Sequence, residues 1–133
     1  MTLSSCVQIQ TEEDIVHARH IGREHAKELG FSSVEQSRIA STISELARNI
    51  VLYAKEGEIC IEALEHEGKK GLAISAKDAG PGIDDLRLVM EEGYSTSGGL
   101  GSGLSGVKRI VDEFTIRSEV GNGTIIETKK WLA

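Results

Sequence analysis

Cysteine is scarce in this chain, with two in 133 residues, Cys6 and Cys60. They lack close spacing, so they offer neither a zinc-ligand pattern nor a disulfide framework. They read as small core residues of a protein kept in a reducing compartment, the cytoplasm by default. Long apolar runs are missing too. The first ten residues, MTLSSCVQIQ, have no basic region followed by an apolar stretch, and no segment approaches the roughly 18 to 20 apolar residues of a membrane helix. Neither export nor membrane insertion is expected. Positive charge is in deficit, 15 Lys and Arg against 21 Asp and Glu, a formal net charge of -6. That balance argues against broad binding to nucleic acid or anionic membranes.

What is present suits one folded unit. Apolar residues make up 39% and charged residues 27%, too apolar for disorder at so modest a net charge. A chain of this length buries an adequate core in a single domain, and no repeat or linker divides it, so residues 1–133 are expected to form one domain.

Ser5 to Gln10 alternates in polarity and predicts a short edge strand. From Glu12 to Leu29 the apolar residues Ile15, Val16, Ala18, Ile21, Ala26 and Leu29 recur at helical spacing. Thr11 is placed to cap that helix and Gly30 to stop it. Ser33 is the cap expected for a second helix, with Val34, Ile39, Ile43, Leu46, Ala47, Ile50 and Val51 as its apolar stripe, running to about Tyr53. Gly57 to Leu64 and Gly71 to Lys77 alternate around the polar HEGKKG turn and read as an antiparallel hairpin. A short helix is expected over Asp84 to Met90, and a glycine-dense stretch from Ser95 to Gly103 opens onto a helix from Leu104 to about Asp112. Phe114 to Glu119 and Thr124 to Trp131 form a last hairpin across Gly121-Asn122-Gly123. Strands arriving as hairpins rather than βαβ units predict an α/β sandwich: a mixed, mainly antiparallel sheet with helices packed on one face.

Four segments carry chemistry. Glu45 and Asn49 lie four residues apart on the second helix, which sets a carboxylate and an amide on one face beside the buried stripe. A hard, oxygen-seeking cation such as Mg²⁺ and a base for an incoming nucleophile suit that pair, although such pairs alone are usually a solvated face. Asp78-Ala79-Gly80-Pro81-Gly82 follows a strand. Its glycines allow close backbone approach, and Asp78 is an acceptor for the exocyclic amine of adenine; by itself the segment would be a turn. Residues 96–104, TSGGLGSGL, crowd glycines before a helix N-terminus, a cradle for phosphate, with a disordered linker as the plain alternative. The stretch is neither a Walker loop nor a dinucleotide loop, because the lysine of the first and the βαβ unit of the second are missing. Gly121-Asn122-Gly123-Thr124 alone is an ordinary hairpin turn.

Taken in order, E-x-x-x-N on a helix, D-x-G-x-G, G-x-G-L and G-x-G-T resemble the GHKL ATP-binding fold shared by gyrase, Hsp90, histidine kinases and anti-sigma-factor kinases. The strings SELARNI, DAGPGI, YSTSGGLGSGL and GVKRIVDEF further resemble the stressosome switch serine/threonine kinases of the anti-sigma-factor kinase branch, across nearly the whole chain. The resemblance implies ATP and Mg²⁺ as cofactors, with Glu45 as the catalytic base and Asn49 as the metal ligand. Asp78 would read adenine, and Gly80 and Gly82 would shape its pocket, with Thr124 nearby. Gly99, Gly101 and Gly103 would wrap the phosphates, with Leu100 and Ser102 between them. As partners it implies STAS-domain antagonist and scaffold proteins as substrates and a PP2C-type phosphatase or other output protein bound on release. No nucleic acid or membrane is implied. The rival readings are an ATP-gated interaction module and an anti-sigma factor that binds a sigma factor directly.

Other residues carry less. His17, His20 and His25 lie on the first helix without an identifiable third ligand and read as solvent-facing. Lys108 reads as solvated surface charge, Arg48 as a phosphate neighbour by position only, and Trp131 as packing for the last strand.

Overall fold

A computed structural model describes residues 4–80 and 103–132. Within them a five-stranded sheet, ordered β1-β2-β3-β5-β4, carries helices on one face. The strands are β1 (Ser4–Ile9), β2 (Gly57–His66), β3 (Lys69–Asp78), β4 (Glu113–Glu119) and β5 (Gly123–Trp131), and the helices are α1 (Glu12–Leu29), α2 (Ser33–Tyr53) and α3 (Gly103–Ile110). Every pairing among the described strands is antiparallel, the sandwich expected from the sequence. The expected helix over Asp84 to Met90 and the stretch from Ser95 to Ser102 lie outside the described residues.

Period-two alternation decides which face of the sheet is covered. Val7 and Ile9 of β1, Ile59 and Ile61 of β2, Leu72, Ile74 and Ala76 of β3, and Ile126 of β5 are buried. They meet Ile15, Ala18 and Ala26 of α1, Ile39, Ile43, Leu46 and Ile50 of α2, and Leu104 of α3 in one core. Alternate residues, among them Gln8, Glu62, Lys77, Glu127 and Lys129, face solvent.

Local signals set the helix ends. Thr11 Oγ1 accepts the Asp14 N–H at 3.3 Å while Asp14 Oδ2 accepts the N–H groups of Gln10 and Thr11 at 2.9 and 3.0 Å. This reciprocal capping box satisfies donors that a helix start leaves unpaired. The two backbone bonds hold the Asp14 carboxyl below its ordinary range. Gly30 closes α1 in the left-handed conformation, φ 100°. At α2 the cap is Ser32 rather than the expected Ser33: its Oγ accepts the Glu35 N–H at 3.2 Å, the N-cap to N3 spacing that Ser33 cannot provide.

Three further expectations need correction. The HEGKKG stretch is mostly strand, with His66 paired to Lys69 and only Glu67 and Gly68 in the turn, both at positive φ; polar side chains at the tip of a hairpin that projects into water look like a loop in sequence. His25 is half-buried, its Nε2 3.0 Å from Ser5 Oγ, so of the three α1 histidines only His17 and His20 face solvent. Cys6 and Cys60 are not core thiols. They stand opposite each other in the β1–β2 register, on the face without helices, and are joined by a disulfide.

Candidate functional site

On α2, Glu45 and Asn49 are half-buried while Leu46, Ala47 and Ile50 are fully buried. The four-residue spacing thus sets both polar groups at the edge of the core stripe, one turn apart. Arg48 Nη1 lies 3.9 Å from Glu45 Oε1. A pair that long and that exposed contributes about 0–1 kcal/mol, so it does not lock the carboxylate.

Asp78 ends β3, with Gly57 of β2 and Thr124 of β5 as its neighbours in register. Its Oδ1 accepts the Gly80 N–H at 3.0 Å, an Asx turn that leads the chain off the sheet. Gly80 sits where a Cβ would fall 2.5 Å from the Cβ of Ala54, so a glycine lets this turn lie against the C-terminal cap of α2. Thr124 is buried, and its hydroxyl is 2.8 Å from Ser118 Oγ.

These elements converge on one cavity of about 10 Å³, walled by Asn49 and Tyr53 of α2, Ala76 and Asp78 of β3, and Thr124 and Ile126 of β5. That is the volume of about one water molecule. The lining is an apolar floor with three convergent polar groups, the mix that orients a small heteroaromatic ligand. Glu45 stands one turn of α2 before Asn49 and is not among the cavity walls. Gly103, buried at φ 50°, opens α3. Gly82, Gly99, Leu100, Gly101 and Ser102 lie outside the described residues. Lys108 is exposed and Arg48 half-buried.

Gly123 is the residue whose importance the sequence hides. It adopts φ 98°, and a Cβ there would run into the backbone of Asp78 and Ala79. The tight hairpin thereby presses the β5 backbone against the strand end that presents Asp78. Gly123→Ala is expected to cost about 2–4 kcal/mol, from the left-handed backbone and the overpacking together. Gly121→Ala, at φ 87° with open space around it, should cost about 1–2 kcal/mol, the conformational part alone. Urea unfolding of both variants measures the difference. Tyr53, also missed, follows Asn49 by four residues, a helical spacing that was there to be read.

The family model described as "Histidine kinase-, DNA gyrase B-, and HSP90-like ATPase" matches residues 34–132. Serine/threonine-protein kinase RsbT of Bacillus subtilis (strain 168) is 61% identical over 132 residues, which cover 99% of this chain and 99% of that protein. An anti-sigma F factor of Caldanaerobacter subterraneus is 27% identical over 121 residues, 86% of this chain and 83% of its own length. Among solved structures, the RsbU and RsbW domains of Rv1364c from Mycobacterium tuberculosis superpose with a TM-score of 0.65 at 20% identity, covering 100% of this chain and 33% of that one. At that identity the likeness speaks for the fold.

Proposed function

The chain belongs to the histidine kinase-, DNA gyrase B- and HSP90-like ATPase family, and from that premise we infer that it is an ATP-dependent protein serine/threonine kinase built as a single domain over residues 1–133. Its substrates are STAS-domain antagonist and scaffold proteins of a bacterial stressosome in the cytoplasm, and once released from them it binds and activates an output protein such as a PP2C-type phosphatase. The observation that carries the reading is the meeting of Asn49, Asp78 and Thr124 around one cavity, with Glu45 a helical turn away, in a chain 61% identical to a serine/threonine-protein kinase.

The residues fit Mg²⁺-ATP chemically. Asn49 offers a hard amide oxygen to the cation, and Asp78 offers a carboxylate oxygen to an amino donor while its partner oxygen holds the Gly80 turn. When bound, Mg²⁺-ATP supplies the γ-phosphoryl group and the charge that stabilises its transfer. With Mg²⁺-ATP bound, Glu45 would take the proton of the substrate serine or threonine hydroxyl, Asp78 and Thr124 would orient the adenine, and the glycine-dense segment ending at Gly103 would hold the phosphates.

The test is transfer of label from γ-labelled ATP with Mg²⁺ to a co-encoded STAS-domain protein. Wild type should label serine or threonine, and Asn49→Ala should lose at least about 10²-fold in rate, the scale of removing one such electrostatic group. Similarity to anti-sigma F factors at 27% identity favours a second reading, an ATP-gated anti-sigma factor. Capture of a sigma factor by a chain that binds ATP yet labels no protein would establish that reading instead.

A further inference from the structure

Cys6 and Cys60 are partners in the β1–β2 register, with Cα atoms 4.1 Å apart and the two sulfurs bonded. Cys6 is exposed and Cys60 half-buried. Reagents therefore reach the bond from solvent, the situation in which disulfides are labile rather than structural. These are the only two cysteines in the chain, so oxidation within one molecule gives a single product.

The bond's position gives it something to control. β1 is a six-residue strand at the edge of the sheet, and β2 is its one neighbour among the described strands. Beyond the disulfide, toward the end of β1, Gln8 Nε2 donates to Glu58 Oε2 and Gln10 Nε2 to Glu56 Oε2, both at 2.9 Å. Those two contacts are exposed and individually weak, so on the helix-free face the covalent link is the main side-chain tie, added to the backbone ladder and to the burial of Val7 and Ile9 on the other face. Gln8, Glu56 and Glu58 also line a groove of about 530 Å³ that runs to Asp78, which joins the edge strand to the strand end described above.

The reduced state is provided for as well. Glu58 Oε1 lies 3.3 Å from Cys60 Sγ, so a Cys60 thiol would donate to that carboxylate. The two sulfurs and the Glu58 carboxylate lie within 4.8 Å of one another, but with the sulfurs bonded to each other this group has too few ligands for a metal. Thiol–disulfide exchange between the two sulfurs is the chemistry that remains.

We propose that Cys6 and Cys60 form a reversible dithiol–disulfide pair, a modification site that tightens edge strand β1 on the sheet when oxidised and loosens it when reduced. Reversibility also reconciles a disulfide with the cytoplasmic location proposed above, since disulfides in reducing compartments are mostly transient. The oxidant is a low-molecular-weight disulfide. The exposed Cys6 loses its proton to solvent, and its thiolate attacks one sulfur of the reagent. A Cys6–reagent bond forms, the reagent's S–S bond breaks, and one small thiolate leaves. Cys60, losing its proton to solvent in turn, attacks Cys6 Sγ and expels the second small thiolate. Two protein thiols and one external disulfide become one protein disulfide and two external thiols, and an excess of the small thiol reverses both steps.

The experiment equilibrates wild type, Cys6→Ser and Cys60→Ser with mixtures of oxidised and reduced glutathione, then reads intact mass, Tm and amide exchange across residues 4–10. Oxidised wild type should lose two hydrogens in mass, exchange more slowly across β1, and melt roughly 5–10 °C above the reduced form. Cys60→Ser should hold one glutathione on Cys6, and neither variant should show the shift in Tm. The proposal is overturned if wild type collects two glutathione adducts or linked dimers instead of the internal bond. It is equally overturned if reduced glutathione never opens the bond, or if the two states share the same Tm and the same β1 exchange.

Discussion

Glu45→Gln is expected to slow phosphoryl transfer about 10²- to 10⁴-fold, the range that a positioned general base contributes, while ATP affinity stays within about threefold. Both halves follow from placement. Glutamine matches glutamate in shape and helix propensity, and the residue is half-buried at the margin of the α2 stripe, so the fold should tolerate the exchange. The side chain it replaces is not part of the wall formed by Asn49, Asp78 and Thr124, which keeps nucleotide binding largely separate from the change. What would disappear, on the proposed mechanism, is the acceptor for a hydroxyl proton. The Arg48 contact at 3.9 Å is lost as well, but a pair of that kind is worth about 0–1 kcal/mol and sits away from the reacting atoms. Single-turnover transfer alongside a calorimetric Kd for ATP separates the two effects. An unchanged transfer rate would reduce Glu45 to a surface partner of Arg48 and remove the kinase mechanism's base.

Much of this architecture could be read from residue spacing because the relevant forces are local. Of the expected α2 stripe, Ile39, Ile43, Leu46, Ala47 and Ile50 are buried as the 3.6-residue period requires while Val34 in the first turn is exposed, and Thr11 and Gly30 bound α1 through bonds to their own neighbours. What spacing does not carry is register between distant strands. Cys6 and Cys60 are 54 residues apart, and nothing near either residue names the other. Yet one signal was available. Cys6 alternates with Val7 and Cys60 with Ile59 and Ile61, so period two puts both cysteines on the solvent face and argues against the core. Gly123 was obscured differently. Its hairpin is ordinary in sequence, and its special demand comes from the Asp78 and Ala79 backbone, more than forty residues earlier in the chain. At the site, the sequence singled out Asn49, Asp78 and Thr124 from motif order, and the β3–β5 pairing of Asp78 with Thr124 supplies the nearness that order alone cannot.

That pairing leads to the second large effect. Asp78→Asn should weaken ATP binding about 30- to 100-fold, or about 2–3 kcal/mol, while leaving the fold nearly intact. In the proposed function the carboxylate would have two tasks: one oxygen accepts the Gly80 N–H at 3.0 Å, and the other would accept from an amino donor on the base. Asparagine keeps the first, because its amide oxygen replaces Oδ1 in the Asx turn. In the second it substitutes an NH₂ donor for an acceptor, so donor meets donor where the base's amino group would sit. Asp78→Ala should lose both tasks. It would bind ATP as poorly and also lower stability by about 1–3 kcal/mol, since the Gly80 N–H is left without its partner. Comparing the two variants by ATP titration and urea unfolding therefore separates recognition from turn-building. If Asp78→Asn binds ATP as tightly as wild type while Asp78→Ala loses only stability, Asp78 builds the turn beside Gly80 and another group recognises the base.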